Sequence, residues 1–593
     1  MANDRDTTSA GGPIALTARL IPLLPRLALA MSRAGYRQLR EITGLDYSLI
    51  DYQGVLTAGT RFALTWWLEP VRALEAQIEL VARSISLFEQ YLAGSEFEAA
   101  RSGADKRFLD RAWSEDPVLV IAKEFYLLQA EWLLAQIRDC AALDDHEKQK
   151  LAFYTRQLLC ALAPSNVPLI NPKVRARALE THGESLIGGL ENLVHDLEQG
   201  SGLLPITQND PRAFEIGRNL AITAGKVVYR NDLMELIQYA PRTETVFRTP
   251  LLFVPPWINK YYILDLQPEN SLFRWLIEQG HTVFVVSWVN PSEHHAYKGF
   301  EHYLREGPLE AIDIVRRITG EEEINLGGFC IGGILAMCAL GYLWAGAKVP
   351  IRSAMCLATM VDLSAVGDAA VFIDEVQLAS IEKHTRRTGF LEGFHMKDMF
   401  SMMRENDLIW NYVISNYLLG RAPPAFDILH WNADSTRLPA HMLIDFLRGI
   451  YMENSLITPG RLKLAGRHID LREIRTPCYF LSTIDDHIAP WKATYPATQI
   501  LAGPVQFVLG GSGHIAGVIN PPSKKKYGYW TADQYPNCAD EWLEHAERHE
   551  GSWWPRCATW LARYGGEPVG ARQPGCNEFP PLADAPGHYV LER

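Results

Sequence analysis

One cysteine of this sequence lies where the chain is predicted to turn from a strand into a helix. Residues 324–329 form a mostly apolar run, Cys330 lies between Gly328 and Gly332, and a helix-forming stretch begins directly afterwards. This Gly-x-Cys-x-Gly pattern predicts a nucleophile elbow, a tight turn that presents one side chain at its apex. Glycine is favoured on both sides of the apex because a side chain there would collide across the turn. The alternative is a buried core cysteine in a glycine-rich turn, since cysteine is among the most buried residue types.

An acid and a histidine follow two other apolar runs further along the chain. One run leads into Asp485, Asp486 and His487, and the next leads into a glycine-rich loop that ends at His514. Nucleophile, acid and histidine in this chain order are typical of α/β-hydrolase-like folds, in which each residue lies in a loop after a strand. The spacing alone leaves Asp485 and Asp486 as equal candidates for the acid. We interpret His487 as a loop residue, because it follows an acid on a different strand from His514.

Short apolar runs alternate with helical stretches in the second half of the chain. This alternation predicts a largely parallel sheet, and near-continuous apolar runs suit strands that are buried on both faces. The predicted fold class is α/β, with an α/β-hydrolase-like, mostly parallel sheet and a helical cap inserted at about residues 362–476. The predicted strands are Leu251–Pro255, Thr282–Trp288, Glu323–Phe329, Ser353–Ala358, Cys478–Ile484 and Val505–Leu509.

The N-terminal third of the chain has a different pattern. From about Leu27 to Leu197 apolar residues recur every three or four positions, which predicts a set of helices. Residues 199–202 (Gln-Gly-Ser-Gly) suit neither helix nor strand and mark the predicted boundary. We therefore predict an all-helical N-terminal domain at residues 1–201 and the α/β catalytic domain at residues 202–593.

The composition excludes several classes of protein. The net charge of −12 argues against nucleic-acid binding, and the nine cysteines include no CxxC pair that would indicate a zinc site or a disulfide framework. Dispersed cysteines fit a reducing compartment. Met1 to Ala10 has no basic segment, and charges and prolines interrupt the apolar stretch Pro13 to Met31, so we expect neither a signal peptide nor a transmembrane segment. A cytoplasmic protein is expected.

Several further blocks are long and specific enough to indicate a family. They are Asp105–Phe108, Glu115–Pro117, Pro164–Asn166, Phe214–Ala221, Asn231–Tyr239, Pro255–Asp265, Phe426–Asn432, Asp486–Trp491 and Gly513–Pro522. Together they resemble the single-subunit (class I type) polyhydroxyalkanoate synthases, poly(3-hydroxyalkanoate) polymerases of the α/β-hydrolase superfamily, over nearly the whole chain. Two positions depart from that family: Trp257 stands where relatives often carry a small residue, and Ala224 stands where a proline is usual.

The resemblance implies a set of roles and partners. Cys330 would be the nucleophile, His514 the general base, and Asp486 rather than Asp485 the acid. The implied reaction polymerises (R)-3-hydroxyacyl-CoA into a growing polyester chain with release of CoA, through an acyl thioester on Cys330. No metal or redox cofactor is implied, since the CoA thioester is the substrate. The resemblance also implies a homodimer, and an N-terminal domain for assembly and granule association in a cytoplasmic enzyme at the polymer granule surface.

Thioester chemistry gives a reason for a cysteine at the apex. Thiolate attack exchanges one thioester for another, so the acyl group stays activated for the next transfer. A free thiol is mostly protonated at neutral pH, and a neighbouring histidine is needed to raise the thiolate fraction. We expect the oxyanion to be held by the backbone N–H groups of Ile331, next to the nucleophile, and of Ile258, in the loop after the first predicted strand.

Two other functions and one surface feature remain as alternatives. A Cys-dependent hydrolase of this fold, an esterase or lactonase, would use the same three residues, although a small esterase needs neither the long helical domain nor the cap. A non-catalytic granule-associated protein would not need an intact cysteine, acid and histidine. The basic cluster Ser523–Lys526 either contacts the phosphates of coenzyme A or belongs to a solvated loop.

Overall fold

The chain divides into two compact units. The computed structural model describes residues 13–93, 105–199, 205–346 and 348–593. One unit, here called the helical unit, comprises Met1–Asp210 with Asp398–Pro424, and the other, the sheet unit, comprises Pro211–Lys397 with Ala425–Arg593. The predicted boundary between residues 201 and 202 lies outside the described residues, as does the predicted character of Met1 to Ala10.

The helical unit contains eight α-helices in the described residues before 200. They are α1 (Pro13–Ile42), α2 (Tyr52–Leu68), α3 (Pro70–Leu92), α4 (Ala112–Glu115), α5 (Pro117–Arg138), α6 (Asp145–Ala161), α7 (Pro172–Glu180) and α8 (Glu184–Gln199). Local sequence explains where they begin. Asp116 accepts hydrogen bonds from two backbone N–H groups at the start of α5, and Asp144 forms a capping box with Glu147 at the start of α6.

Helix α1 is longer than the sequence predicts. The prolines that are expected to interrupt the apolar stretch, Pro22 and Pro25, both lie inside one continuous helix. Within the described residues, Ala15–Ile42 is the one stretch that is long and apolar enough to cross a membrane by length and composition, and 11% of its most apolar window is buried. Two arginines of α1 form ion pairs of 2.7 Å with glutamates of α8. The helix therefore has an apolar outward face together with basic charge.

The sheet unit is organised around one sheet of eleven strands in the described residues. The strands are β1 (Gly225–Arg230), β2 (Met234–Tyr239), β3 (Leu251–Val254), β4 (Val283–Trp288), β5 (Ile324–Phe329), β6 (Ile351–Leu357), β7 (Cys478–Thr483), β8 (Val505–Gly510), β9 (Tyr529–Thr531), β10 (Glu547–His549) and β11 (Ala583–Asp584). Their order is β11-β1-β2-β4-β3-β5-β6-β7-β8-β9-β10. The neighbours from β4 to β8 pair in parallel, and the outer pairs are antiparallel. All six predicted strands are present, with ends that differ by at most two residues.

Helices connect these strands and make up most of the predicted cap. They are α9 (Leu272–Glu278), α10 (Phe300–Leu304), α11 (Glu310–Thr319), α12 (Ile331–Trp344), α13 (Glu375–Thr388), α14 (Gly393–Met403), α15 (Asp427–Ala433), α16 (Ala440–Asp445), α17 (Trp491–Thr494), α18 (Ala497–Ile500), α19 (Ala539–His545) and α20 (Trp554–Ala562). The described residues also include four π-helical turns, Arg305–Leu309, Asn406–Trp410, Val413–Leu418 and Phe446–Met452. The predicted cap is largely helical, but its residues 398–424 group with the helical unit.

The central strands bring the predicted site residues to one edge of the sheet. Every residue of β4, β5 and β7 is buried, as expected for parallel strands that are covered on both faces. Strands β5, β7 and β8 run in the same direction, so their carboxyl ends meet at the same edge. Cys330, Asp486 and His514 follow these three ends.

Candidate active site

The backbone at Cys330 turns as a nucleophile elbow requires. Cys330 joins β5 to α12 with φ of +54° and ψ of −127°. A positive φ is uncommon outside glycine and costs on the order of 1–3 kcal/mol, so the surrounding structure must hold it. The Cys330 N–H donates a hydrogen bond of 2.8 Å to the Leu357 carbonyl of β6. The thiol lies in a largely buried position, with 7% of the residue exposed.

The glycines around Cys330 are required by close backbone contacts. A Cβ on Gly332 would lie 2.4 Å from the carbonyl of Pro255, and a Cβ on Gly328 would lie 2.5 Å from the Cα of Gly333. Neither neighbour is a flexible side chain that could move aside. The close backbone contacts that the glycine pattern predicts are therefore present. They place the loop after β3 against the start of α12.

Asp486 is fixed in the loop after β7. Its Oδ1 accepts hydrogen bonds from the backbone N–H groups of Ile488 (2.9 Å) and Ala489 (2.8 Å). Its Oδ2 accepts a hydrogen bond of 3.3 Å from the Thr483 hydroxyl. Backbone and hydroxyl donors satisfy a buried carboxylate that would otherwise be costly to bury. They also fix its orientation, so that one oxygen remains directed at the imidazole of His514.

His514 contacts Asp486 and not Asp485. The His514 Nδ1 lies 2.7 Å from Asp486 Oδ2, whereas the side chain of Asp485 is exposed. The structure thus distinguishes two aspartates that spacing alone leaves equal. His487 lies on the loop after β7 beside the acid, and His514 comes from the loop after β8.

Two tryptophans and a phenylalanine position His514. Its ring stacks on Phe329 with centroids 5.2 Å apart, and His514 is buried. Beyond it, the Trp553 and Trp554 indoles donate hydrogen bonds of 2.9 Å to the carbonyls of Gly517 and Val518. The loop after β8 is therefore fixed both by the stacking of His514 on Phe329 and by the two indole hydrogen bonds.

The electrostatics of the site favour a proton on the imidazole of His514 when both Asp486 and Cys330 carry negative charge. Burial by itself lowers the pKa of His514, but the charge of Asp486 and that of Cys330, with a hydrogen bond to each, raise the pKa well above its ordinary 6.5. A raised pKa means that the imidazolium is stabilised by its two partners. The arrangement can therefore take the proton of the Cys330 thiol and hold it while the sulfur carries negative charge.

Tyr451 belongs to the surroundings of Cys330 although no sequence pattern predicts it. Burial and the nearby charge of Cys330 raise the pKa of its phenol, so the hydroxyl stays protonated near the sulfur. Tyr451 lies in the π-helical turn Phe446–Met452, whose spacing departs from the period of an α-helix, so periodicity gives no signal. The role of Thr483 is not predicted either. A hydroxyl residue at the strand end, three positions before Asp486, could however have indicated a hydrogen-bond donor to the acid.

The predicted oxyanion groups occupy suitable loops. Ile331 is the first residue of α12, and the first N–H groups of a helix have no intrahelical acceptor. Ile258 lies in the loop after β3, three residues beyond the Pro255 carbonyl that contacts the elbow. Their role in binding an oxyanion stays a prediction. The lysines 524–526 are exposed. In the described part of the chain, no group of three or more His, Cys, Asp or Glu side chains could hold a metal ion.

Comparison with known proteins identifies the family. The family profile described as "Poly-beta-hydroxybutyrate polymerase (PhaC) N-terminus" matches residues 104–276, and that described as "alpha/beta hydrolase fold" matches residues 249–521. The chain is 45% identical to a poly(3-hydroxyalkanoate) polymerase of Methylorubrum extorquens, over 90% of this chain and 89% of the relative. The chain belongs to the poly(3-hydroxyalkanoate) polymerase family.

Two further relatives have similar coverage. The subunit PhaC of a poly(3-hydroxyalkanoate) polymerase from Rhizobium meliloti is 42% identical, over 89% of this chain and 87% of the relative. The subunit from Cupriavidus necator is 41% identical, over 86% of each chain. The family resemblance that the sequence blocks indicate and the predicted α/β-hydrolase-like fold are both confirmed.

A substitution at Gly332 tests the elbow. Gly332→Ala places a methyl group into the carbonyl of Pro255, and relief of such overlap typically costs about 1–3 kcal/mol. We expect a lower urea midpoint of unfolding and slower alkylation of Cys330. Gly449→Ala is the matched control, because a Cβ at Gly449 meets nothing within 4 Å. Equal midpoints and equal alkylation rates in the two variants would contradict the steric account.

A pair of aspartate variants tests the electrostatics. Asp486→Asn removes the negative charge beside His514, so the pKa of the imidazole should fall by about one unit or more. The imidazolium is then lost at lower pH, and alkylation of Cys330 at pH 7 should slow. Histidine NMR titration and iodoacetamide kinetics measure the two effects. Asp485→Asn removes an exposed charge and should change neither; a larger effect from Asp485→Asn would show that the wrong carboxylate is assigned.

Proposed function

We propose that this acyltransferase of the poly(3-hydroxyalkanoate) polymerase family uses (R)-3-hydroxyacyl-CoA as its substrate and releases CoA as it forms polyhydroxyalkanoate. The observation that carries the proposal is the hydrogen bond of 2.7 Å between His514 and Asp486, together with the elbow at Cys330, whose charge raises the pKa of His514, in a chain of the polymerase family. A nucleophile, its base and an acid that orients the base are the minimum for acyl transfer. In this proposal Cys330, His514 and Asp486 are the catalytic residues, and no metal or redox cofactor takes part.

In the first step the enzyme becomes acylated. His514 takes the proton of the Cys330 thiol, and the thiolate attacks the thioester carbonyl of the substrate. The developing oxyanion accepts hydrogen bonds from the N–H groups of Ile331 and Ile258. A new C–S bond to Cys330 forms as the C–S bond to CoA breaks, and the departing CoA sulfur receives the proton from His514. The acyl group remains a thioester and keeps its activation.

In the second step the chain grows. His514 removes the proton from the 3-hydroxyl of another hydroxyacyl unit, and that oxygen attacks the thioester on Cys330. A C–O ester bond forms, the C–S bond breaks, and the sulfur leaves as a thiolate beside the imidazolium. Asp486 binds Nδ1, which leaves Nε2 of the imidazole as the base. An alkyl hydroxyl is a much weaker acid than a thiol, so this step depends more on Asp486 than the first does.

Hydrolysis is the second candidate function. An esterase or lactonase would transfer the acyl group to water, whereas the polymerase transfers it to the hydroxyl group of another hydroxyacyl unit. Cys330, Asp486 and His514 are all buried, and exclusion of water protects a reactive acyl-enzyme from hydrolysis. Burial therefore supports transfer to a substrate hydroxyl over transfer to water. The product decides between them, because a hydrolase gives free 3-hydroxy acid and a polymerase gives polyester. A non-catalytic granule protein would give neither.

We also propose that the helical unit attaches the enzyme to the polymer granule in the cytoplasm. Helix α3 supports this role with an outward row of apolar side chains, each between 53% and 70% exposed. The row, here called the α3 row, consists of Val71, Leu74, Ile78, Val81, Ile85, Phe88 and Leu92. Two arginines and three glutamates leave this helix nearly neutral. A neutral apolar row suits a polyester surface, and the same spacing of three and four also suits the proposed homodimer.

Variants of the three catalytic residues test the chemistry. Cys330→Ala should abolish CoA release, and Cys330→Ser should lower it by orders of magnitude, since a hydroxyl is harder to ionise. His514→Ala should lose both steps, whereas Asp486→Asn should keep a small stoichiometric CoA release and stall at short chains. Coupled thiol detection and the length of the enzyme-bound acyl group are the measurements. Activity of Cys330→Ala near that of the parent would refute the assignment.

Charges placed in the α3 row test granule attachment. Ile78→Glu with Ile85→Glu should reduce the granule-bound fraction several-fold, because a carboxylate is poorly solvated on a polyester surface. Gln77→Glu with Ser86→Glu is the control: it adds the same charge at exposed positions outside the row. Light scattering measures whether each variant still forms the proposed homodimer. Equal granule binding by the two variants would contradict the role of the α3 row, and loss of the dimer alone would assign the row to self-association.

A further inference from the structure

We propose that Thr436 is a positioning residue for the predicted oxyanion group of Ile258. Its hydroxyl donates a hydrogen bond of 2.8 Å to the Trp257 carbonyl. That carbonyl belongs to the same peptide group as the Ile258 N–H, so one side chain of the predicted cap fixes the direction in which the oxyanion donor points. The inference rests on the proposed polymerase function and deepens it, because Thr436 acts on the reaction through Ile258.

The peptide group transmits this constraint because it is planar. The bond between Trp257 and Ile258 is trans, and in a trans peptide the carbonyl and the N–H point in opposite directions from one rigid plane. A donor that holds the carbonyl on one side therefore aims the N–H on the other side. A hydrogen bond to the carbonyl also polarises the peptide group, which makes its N–H a stronger donor. The Thr436 hydroxyl thus both orients and strengthens the group that is expected to bind the oxyanion.

The loop after β3 is also fixed at its start, where it meets the elbow. A Cβ on Gly332, two residues after the proposed nucleophile, would lie 2.4 Å from the Pro255 carbonyl, so the loop backbone contacts the first turn of α12. The Trp288 indole donates a hydrogen bond of 2.9 Å to the same carbonyl. The backbone that leads to Ile258 therefore starts from a fixed point beside the elbow.

Residues of the cap next to Thr436 bind the loop beyond the predicted oxyanion donor. The Trp431 indole donates a hydrogen bond of 2.7 Å to the Lys260 carbonyl, and Ser435 forms an isolated antiparallel bridge with Asn259. Trp431 and Lys260 are buried, so their contact is shielded from water. The cap therefore contacts this loop on both sides of the predicted donor.

The alternative is that Thr436 only stabilises the packing of the cap. The residue is buried, and loss of its hydroxyl would leave the Trp257 carbonyl without this donor. That alternative predicts lower stability without a specific effect on acyl transfer. The two interpretations differ for a reaction that uses the Cys330 thiol but forms no oxyanion. Alkylation by iodoacetamide is such a reaction, because a C–S bond forms at a saturated carbon as the C–I bond breaks, and no carbonyl oxygen gains charge.

The experiment measures both reactions in Thr436→Val and Thr436→Ser. Valine keeps the shape of threonine and removes the donor, whereas serine keeps the hydroxyl. Loss of an oxyanion donor costs roughly 10²- to 10³-fold in kcat, so misalignment of the donor in Thr436→Val should lower kcat for CoA release from (R)-3-hydroxybutyryl-CoA at least about tenfold. We expect kcat/KM to fall by the same factor, since the lost interaction belongs to the transition state. The rate and the pH profile of Cys330 alkylation should match those of the parent, and Thr436→Ser should recover most of the CoA release.

Thr385→Val is the matched control. The Thr385 hydroxyl is also buried and donates a hydrogen bond of 2.9 Å to a backbone carbonyl, that of Ile381 in α13. Its loss should leave CoA release unchanged. Trp431→Phe retains an aromatic ring and removes the donor to the Lys260 carbonyl. This variant should also lose CoA release and keep alkylation, and it keeps the test decisive if Thr436→Val does not fold.

The outcomes separate this inference from the function on which it rests. With an active parent, three results overturn the inference and leave the polymerase function intact: an unchanged kcat in the cap variants, a parallel loss of CoA release and alkylation, or an equal loss in Thr385→Val. A parent that releases no CoA from (R)-3-hydroxybutyryl-CoA refutes the proposed function, and the inference with it.

Discussion

The buried hydrogen bond between Asp486 and His514 is the interaction on which the site depends. A carboxylate in the interior is costly unless donors satisfy it, and here two backbone N–H groups and the Thr483 hydroxyl do so. These donors belong to the turn at the end of β7, whereas His514 follows β8, so the contact between acid and histidine forms only when β7 and β8 pair correctly. The chemistry is therefore coupled to the register of the sheet. Donors that are fixed in advance also need no reorganisation when charge moves between sulfur and imidazole.

Backbone strain is the second constraint, and it is local. Cys330 adopts a left-handed conformation that glycine would adopt at lower cost, yet glycine cannot supply a thiol. The packing of the buried strand β5 and of α12 against neighbouring backbone offsets this cost. The loop after β3 takes part in the same packing through Pro255. One close approach thus places Cys330, the proposed nucleophile, next to the loop that carries the predicted oxyanion group of Ile258.

Parts of this site can be predicted from the sequence because they depend on local patterns. The elbow follows from its glycines and the apolar run before it, and strand ends predict which loops carry the acid and the histidine. The choice between Asp485 and Asp486 cannot be read from spacing, because a single step at a strand end reverses the direction of a side chain. Without the family resemblance, only the three-dimensional contact with His514 separates them. Tyr451 cannot be predicted from hydrophobic periodicity, because its π-helical turn does not have the period of an α-helix. The grouping of residues 398–424 with the helical unit depends on packing between segments that are far apart in sequence.

Both steps of the proposed reaction require that the acyl group is carried on the sulfur of Cys330. The most direct measurement is rapid quenching of the enzyme with (R)-3-hydroxybutyryl-CoA, followed by mass spectrometry of its peptides. We expect one or more hydroxybutyryl units on the peptide that contains Cys330 and none on the exposed Cys538, which serves as an internal control. CoA release without acyl groups on the Cys330 peptide, or acyl groups on Cys538 instead, would contradict this expectation.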